Sequence, residues 1–391
     1  MNKKALLSIT LVVFIYLIAT GLSYFIFSPG GIASNGLTSP VAAPQKSGSG
    51  QVVFDENLPK TENCPINGAK YSKQQRAWWE KHRPLGVMIE NHEEARPQSG
   101  LSFADVVYEV VAEGGITRFM AIYYCQDAGQ IGPVRSARTY FLDFLSEYGD
   151  SPLYAHVGGA NQPGPADALS QINDYGWGGY NDMNQFAIGF PIFWRDYDRL
   201  GHTVATEHTM YSTTDKLWQY AETSRDLKDK GKDGVHWSEG FTPYEFKDDA
   251  KTSERSSSQL VHLEFWERDA SYFVDWTFDP KTNTYKRSNG GKPHLDKNTD
   301  KQLEAKNIVV LSMIESSAND GYANNQHLLY RTKGSGKATI FMDGKKINGT
   351  WTKKDRTGKT IIKDSNGNLV KFNRGLIWFE ILPTDGVITV K

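Results

Sequence analysis

An uncharged, largely apolar run near the amino terminus separates the start of this chain from the part that can form a globular fold. The run extends from Ala5 to Ser28 and follows Lys3 and Lys4. It is long enough to cross a bilayer, whereas the apolar region of a signal peptide usually has only about 7–15 residues. The sequence therefore predicts a transmembrane helix over residues 1–28, with the amino terminus inside and the folded chain outside.

The alternative for this segment is a cleaved signal peptide, because small residues around Ile32 to Ser34 could be cut. No cysteine stands at the end of the apolar run, which excludes lipid attachment there. Residues 29–50 consist mainly of Gly, Ser, Pro and Ala, which is the composition of a flexible linker. We therefore expect a single-pass protein of the cell membrane with its folded domains outside.

Charge and cysteine content limit what the folded part can bind. With 44 basic and 45 acidic residues the net charge is -1, so no overall field attracts nucleic acid, and an anion must be recognised locally. The two cysteines, Cys64 and Cys125, could form a disulfide or remain separate thiols, and their spacing matches no metal site. We expect no metal, no cofactor and no nucleic-acid partner.

The first half of the folded part alternates strand-like and helix-like segments. Short apolar runs predict strands at Leu85–Asn91, Ile116–Tyr124 and Pro152–Val157. Helices are predicted between these runs and after them, over residues 102–113, 134–148 and 164–172. This order is typical of an α/β domain with a mainly parallel sheet, which we place at residues 51–222.

The segment after Ser102 has two interpretations. Its apolar residues recur at helical spacing, and its paired valines break the alternation of a half-buried strand, which favours a helix. Four valines nevertheless suit a strand. In either case Asp105, Glu109 and Glu113 share one face.

The second half of the folded part is mainly β. Residues 223–259 are polar and irregular and predict a connection between domains. Residues 260–391 contain short β-branched or aromatic segments separated by turn residues. The sequence therefore predicts a mainly β carboxyl-terminal domain.

The segment IGPVRSART, residues 131–139, carries the strongest candidate for a binding site. Arg135 and Arg138 lie where a helix is predicted to begin, although the helix dipole disfavours cations there. Free backbone amides, the hydroxyl of Ser136 and two guanidinium groups would together bind a phosphate or a carboxylate. The bound anion would then offset the unfavourable position of the arginines.

The alternative is that these arginines pair with carboxylates of the protein itself. Glu109, Glu113 and Asp143 are the candidates, because an arginine at a buried edge needs a partner. Arg118 could take part in either arrangement.

Ligands of α/β sheets bind beyond the carboxyl ends of the strands. The further ligand-binding candidates at this edge and in its loops are Asn91, Arg96, Arg118, Gly158 and Gly159. The candidates for catalysis are Asp105, Glu109 and His156, where a purely structural hydrogen bond is the alternative for the histidine. The charged residues at 193–211 include His202 and His208, whose spacing does not fit an HExxH motif, and solvated loop charge explains most of them.

Several motifs resemble a known family. The segments IENHEEARPQSGLSFADVVYEVVAEGGITRFMAIYY, IGPVRSART and AHVGGA are similar to the amino-terminal domain of the YerB-like bacterial envelope proteins. The segments YKRSNGGKPHLD, GKATIFMDGKKINGTW and RGLIWFEILP are similar to the carboxyl-terminal domain of that family. The family is classed as a domain of unknown function, so the resemblance implies a lipoprotein or membrane-anchored protein outside the cell and no established reaction.

Three functions are compatible with the sequence. The first is a membrane-anchored protein that binds an anionic envelope ligand through Arg118, Arg135 and Arg138. The second is an enzyme that handles lipid-linked phosphate or wall polymer in the manner of a phosphotransferase. The third is a structural envelope scaffold. The expected partners are an anionic envelope ligand or an envelope protein, together with the membrane.

Overall fold

The structure, a computed structural model, describes residues 13–22, 24, 44–47, 51–267 and 269–391. Residues 13–22 and 24 are helical. Within the described residues no helix is both long and apolar enough to cross a membrane, so the predicted transmembrane helix is not found there. The rest of that predicted segment and most of the predicted linker lie outside the described residues.

The helices described after residue 50 are short. They are α1 (Lys73–Trp79), α2 (Thr139–Leu145), α3 (Ala168–Asp174), α4 (Gln185–Ile188) and α5 (Thr214–Arg225). Single 3-10 turns occur at Glu93–Ala95, Leu101–Phe103, Thr206–His208, Thr252–Glu254, Ala270–Tyr272 and Tyr322–Asn324.

Strands make up most of the regular structure. Those of the first half are β1 (Gln45–Lys46), β2 (Val52–Val53), β3 (Lys60–Asn63), β4 (Lys70–Ser72), β5 (Leu85–Glu90), β6 (Val106–Glu113), β7 (Ile116–Tyr123), β8 (Gln130–Ile131), β9 (Leu153–His156), β10 (Asp182–Asn184), β11 (Trp194–Arg195) and β12 (Met210–Thr213). Those of the second half are β13 (Glu245–Lys247), β14 (Leu260–Glu264), β15 (Val274–Asp279), β16 (Thr284–Asn289), β17 (Lys292–Pro293), β18 (Leu295–Asp296), β19 (Lys301–Gln302), β20 (Glu304–Ala305), β21 (Asn307–Met313), β22 (Glu315–Ser317), β23 (Leu328–Tyr330), β24 (Gly334–Met342), β25 (Lys345–Lys353), β26 (Ile361–Asp364), β27 (Lys371–Asn373), β28 (Ile377–Pro383) and β29 (Val387–Val390).

One mixed sheet contains strands from both halves of the chain, in the order β10-β9-β5-β7-β6-β28-β21-β24-β25-β26. Strand β28 lies between β6 and β21 and is parallel to both. Strand β7 is antiparallel to β5 and β6, and β24 is antiparallel to β21. The predicted fold class is therefore wrong, because the described residues form a mostly β structure with a mixed central sheet instead of an α/β domain with a mainly parallel sheet.

The segment predicted as a helix after Ser102 is strand β6. Its residues from Val106 to Ala112 are all buried, whichever face of the sheet they occupy. A strand that is covered on both faces has no polar face, so its sequence lacks the alternation that would reveal it. The helical periodicity of its valines was therefore a misleading signal.

A second, antiparallel sheet packs against the central sheet. Its strands follow the order β17-β16-β15-β14-β29, and β20 also pairs with β16. Trp276 of this sheet contacts Trp378 of the central sheet with ring centroids 5.2 Å apart. Cys64 and Cys125 form a disulfide, which decides between the two alternatives for these cysteines.

Candidate functional site

The segment that carries Arg135 and Arg138 is extended and lies at the carboxyl edge of the central sheet. The amide of Arg135 donates to the Met88 carbonyl oxygen of β5 at 2.9 Å, and its own carbonyl accepts from Val157 after β9 at 3.0 Å. Helix α2 begins only at Thr139, so the predicted start near residue 134 is wrong. Arg135 thus precedes the helix, whereas Arg138 is its N-cap residue and pairs there with the carboxylate of Glu113.

Two of the arginines are buried and share one carboxylate. Arg118 donates from Nη2 to Oε1 of Glu113 at 3.3 Å, and Arg138 pairs with Oε2 of the same residue. Burial alone would raise the pKa of Glu113, but the charges of Arg118 and Arg138 outweigh burial and hold it at about 2. These two arginines therefore have a partner within the protein.

Arg135 differs because its side chain is partly exposed and lines a cleft. Its Nε pairs with Oε2 of the buried Glu90, while a quarter of the side chain is exposed. Burial raises the pKa of Glu90, but the charges of Arg118 and Arg135 outweigh burial, so this pKa lies below its ordinary value.

Charges in this cluster do not cancel. Three arginines, at positions 118, 135 and 138, face two carboxylates, at positions 90 and 113. Among these five groups the positive charges exceed the negative charges by one.

A cleft of ≈ 550 Å³ opens beside Arg135. It is lined by Arg135, Ser136, Val157, Gly158, Gly159, Asn161, Leu169, Phe186, Arg195, Thr206, Glu207 and Met210. Arg195 is exposed and anchored by hydrogen bonds from Nη1 to the Thr206 carbonyl and, at 3.2 Å, to Thr209 Oγ1. The cleft thus contains two guanidinium groups that solvent can reach.

Hydrogen-bond donors also line the cleft. Among the described contacts, the backbone amide and the hydroxyl of Ser136 and the backbone amide of Gly159 have no protein partner. The neighbouring loop is fixed, because His156 Nδ1 lies 2.7 Å from the Gly158 carbonyl oxygen and the Gly158 amide donates to Asn184 Oδ1 at 3.2 Å. The cleft therefore offers donors in a fixed backbone together with positive charge.

The three residues predicted as candidates for catalysis are all buried and none lines this cleft. Asp105 accepts hydrogen bonds from the amides of Tyr124 and Cys125, and burial raises its pKa to about 7. Glu109 pairs with Arg287, and His156 Nε2 lies 2.6 Å from Asp182 Oδ1. Each of them has a partner within the fold.

Asn91 and Arg96 also lie outside the cleft. Asn91 is buried and donates from Nδ2 to Thr117 Oγ1 at 2.7 Å. Arg96 donates to the carbonyl oxygens of Asn91 and Ser271, both at 3.0 Å. Of the predicted ligand-binding residues, the structure therefore brings Arg135, Ser136, Gly158 and Gly159 to the cleft, with Arg118 and Arg138 buried behind them.

Sequence reasoning missed Arg195 and Phe186 as lining residues. Arg195 reaches the cleft because β11 pairs with β12, which in turn pairs with β8 just before the arginine segment. Phe186 is 76% exposed although its side chain is large and apolar. Arg195 belongs to the charged segment 193–211, which we interpreted mostly as solvated loop charge, and Phe186 belongs to no motif.

Comparison with known proteins shows where this fold belongs. Residues 70–228 match the family described as "Protein of unknown function (DUF3048) N-terminal domain", and residues 261–379 match the DUF3048 C-terminal domain. The chain is 30% identical over 327 residues to "Putative lipoprotein YerB" of Bacillus subtilis (strain 168), covering 83% of this chain and 87% of that protein.

The chain belongs to the DUF3048 family. This DUF3048 protein is also similar to the crystal structure of the YerB protein from Bacillus subtilis, with a TM-score of 0.67 and 26% identity. That match covers 84% of this chain and 100% of the other. The resemblance that we drew from the motifs is confirmed.

Proposed function

We propose that this DUF3048 protein is an extracytoplasmic envelope protein that binds an anionic ligand in the cleft beside Arg135. The description of its Bacillus subtilis relative as a lipoprotein supports the location. The disulfide between Cys64 and Cys125 also supports it, because disulfides persist in oxidising compartments outside the cytosol.

The excess positive charge at the cleft is the observation that carries this proposal. A quarter of the Arg135 side chain is exposed, and the three arginines at positions 118, 135 and 138 exceed the two carboxylates at positions 90 and 113 by one charge. A phosphate or carboxylate in the cleft supplies the missing negative charge and accepts hydrogen bonds from a planar guanidinium.

Hydrogen-bond donors at the cleft also indicate which kind of ligand fits it. Ser136 and Gly159 present amides, and Ser136 a hydroxyl, without a protein acceptor among the described contacts. An oxyanion accepts several such hydrogen bonds at once. The exposed ring of Phe186 provides an apolar wall, so the ligand carries its anionic group on an apolar or sugar framework.

A binding titration of the full-length protein tests the proposal. The probes are poly(glycerol phosphate) and a carboxylate-bearing glycan, with an uncharged glycan for comparison. Arg195→Ala removes an exposed charge and leaves the core intact, and we expect it to weaken binding about tenfold or more, as for a lost charged hydrogen bond of about 1.5–3 kcal/mol. Arg135→Lys retains the charge but loses the planar fork, so we expect a smaller loss.

Arg331→Ala is the matched control, because it removes one exposed arginine outside the cleft. It should bind the probes like the unmodified protein. Equal affinity of the Arg195→Ala and Arg331→Ala variants, or equal binding of the charged and uncharged probes, would contradict the proposal.

A further inference from the structure

Three potential metal ligands meet next to the cleft, on segments that are far apart in the sequence. His92 directly precedes the turn Glu93–Ala95 that follows β5, and Glu94 lies within that turn. His208 is the last residue of the turn Thr206–His208. One ligand atom from each lies within 4.8 Å of the others. The two imidazole rings are stacked with centroids 4.7 Å apart and an angle of 14°.

Their spacing is close to that of a zinc site. His208 Nε2 and Glu94 Oε2 are 3.9 Å apart. Two ligands that are each about 2.1 Å from a tetrahedral zinc ion are about 3.4 Å apart. The side chain of Glu94 is 52% exposed, so a small rotation that costs no packing closes the difference.

The buried carboxylate of Glu90 lies close to the imidazole ring of His208. His208 is only 5% exposed, and its Nδ1 has no hydrogen-bond partner among the described residues. Oε2 of Glu90 is 3.7 Å from this atom. Metal-binding histidines usually direct their second nitrogen to such a carboxylate, which fixes the ring and leaves the other nitrogen for the metal.

His92 has to rotate to join the site, because its ring is stacked parallel to that of His208 and the in-plane lone pairs of the two rings do not converge. Its Nδ1 accepts a hydrogen bond from the Glu94 amide at 3.3 Å, which is long for this type of bond. The carboxylates around His208 are Glu90, Glu94 and Glu207, whereas Arg135 and His92 oppose a positive charge there.

We propose that His92, Glu94 and His208 bind a zinc ion through three protein ligands, with a fourth position open to solvent. Two imidazoles and one carboxylate suit zinc, whereas magnesium and calcium prefer oxygen ligands alone. Glu90 is a positioning residue in this site. The site adjoins the proposed anion cleft and shares Glu90 with Arg135, whereas Glu94 does not line the cleft and Arg195, Ser136 and Gly159 take no part in the metal site.

Zinc binding by the full-length protein tests this inference. After treatment with EDTA and its removal, the protein is dialysed against zinc chloride, and its affinity is measured by competition with a chromophoric chelator. We expect one zinc ion per chain. Both cysteines are in the disulfide, so no thiolate contributes to the signal.

Glu94→Gln is the decisive variant, because it keeps the shape of an exposed side chain and removes a ligand. It should weaken zinc binding by more than about tenfold. His208→Ala should abolish binding, and if this buried substitution prevents folding, Glu94→Gln decides alone. Cobalt substitution gives a second measurement, since the intensity of its visible absorption reports tetrahedral coordination and should fall in the Glu94→Gln variant.

His202→Ala is the control, because His202 is an exposed histidine of the same region outside the cluster. It should bind zinc like the unmodified protein. Failure of the unmodified protein to bind one equivalent, or an unchanged affinity in Glu94→Gln, would overturn the inference.

Discussion

Glu109 and Arg287 form a fully buried ion pair between the two sheets, with Oε2 and Nη2 2.6 Å apart. Glu109 belongs to β6 and Arg287 to β16, so the pair joins the first half of the chain to the second. The guanidinium carbon also lies 5.0 Å from the ring centroid of Trp378. Glu380 lies in the same buried layer, where burial and the charge of Glu109 raise its pKa well above the ordinary value.

Replacing Arg287 by Met should destabilise the protein strongly, because the buried Glu109 would lose its counter-ion, although it keeps the hydrogen bonds from Thr117 and Asn91. Loss of one member of a buried pair costs about 3–5 kcal/mol. Urea denaturation of the full-length protein measures this loss. Lys371→Ala is the control: its partner Glu245 is exposed, and such pairs contribute about 0–1 kcal/mol. Similar losses in the two variants would argue against the buried pair.

The disulfide should contribute to stability through the loop that it closes. Cys64 and Cys125 are separated by 61 positions, and loop closure of this length is worth about 4 kcal/mol in the chain-entropy description. The double variant Cys64→Ser, Cys125→Ser should unfold at a lower urea concentration than the oxidised protein. Adding a reductant should lower the midpoint of the unmodified protein and leave that of the variant unchanged. A midpoint of the unmodified protein that does not respond to reductant would speak against the bond.

Protonation of Glu113 in acid should reduce the stability of the folded protein, because Glu113 pairs with Arg118 and Arg138. The pKa of this carboxyl is about 2 in the folded protein, against an ordinary value of 4.5. A lowered folded pKa adds stability above pH 4.5, and that contribution is lost as the pH falls towards about 2. The free energy of unfolding should decline over this window by about 3 kcal/mol more in the unmodified protein than in Glu113→Gln.

The exposed residue Glu239 provides the control for this pH series. Glu239→Gln should retain the steep decline in acid. If Glu113→Gln and Glu239→Gln gave parallel pH profiles, the paired state of Glu113 would be wrong.

Gly132 should tolerate no side chain. Its φ is 137°, and an added Cβ would lie 2.9 Å from the Met210 carbonyl oxygen and from the Val134 amide nitrogen. Gly132→Ala should cost about 1–3 kcal/mol more than Gly367→Ala, whose φ is also positive but whose Cβ would meet open space. Thermal unfolding of both variants isolates the effect of the contact, and equal melting temperatures would show that the backbone does not approach so closely.

Local patterns in the sequence predicted the positions of several strands but not the order in which these strands form the sheet. Leu85–Glu90 and Ile116–Tyr123 are strands as predicted, because short runs of apolar residues leave few alternatives. The position of β28 between β6 and β21 could not be predicted, since pairing between distant segments leaves no periodic signal. The two predicted domains therefore share one sheet.

The candidate site was predictable only in part for the same reason. The segment around Arg135 stood out because two arginines and a serine are adjacent in the sequence. Glu90, Arg195 and His208 come from three other segments, and only the folded chain shows that they surround it. The start of helix α2 was placed too early, because the extended residues before Thr139 pair with strands that are remote in the sequence.

The central place of β28 has a consequence for biosynthesis. A ribosome makes this strand near the end of the chain, after all of its neighbours in the sheet. Until residue 383 has emerged, β6 and β21 each keep an unpaired edge, which is a template for aggregation. Neither half can complete its part of the central sheet before the other, because β28 pairs with strands of both halves.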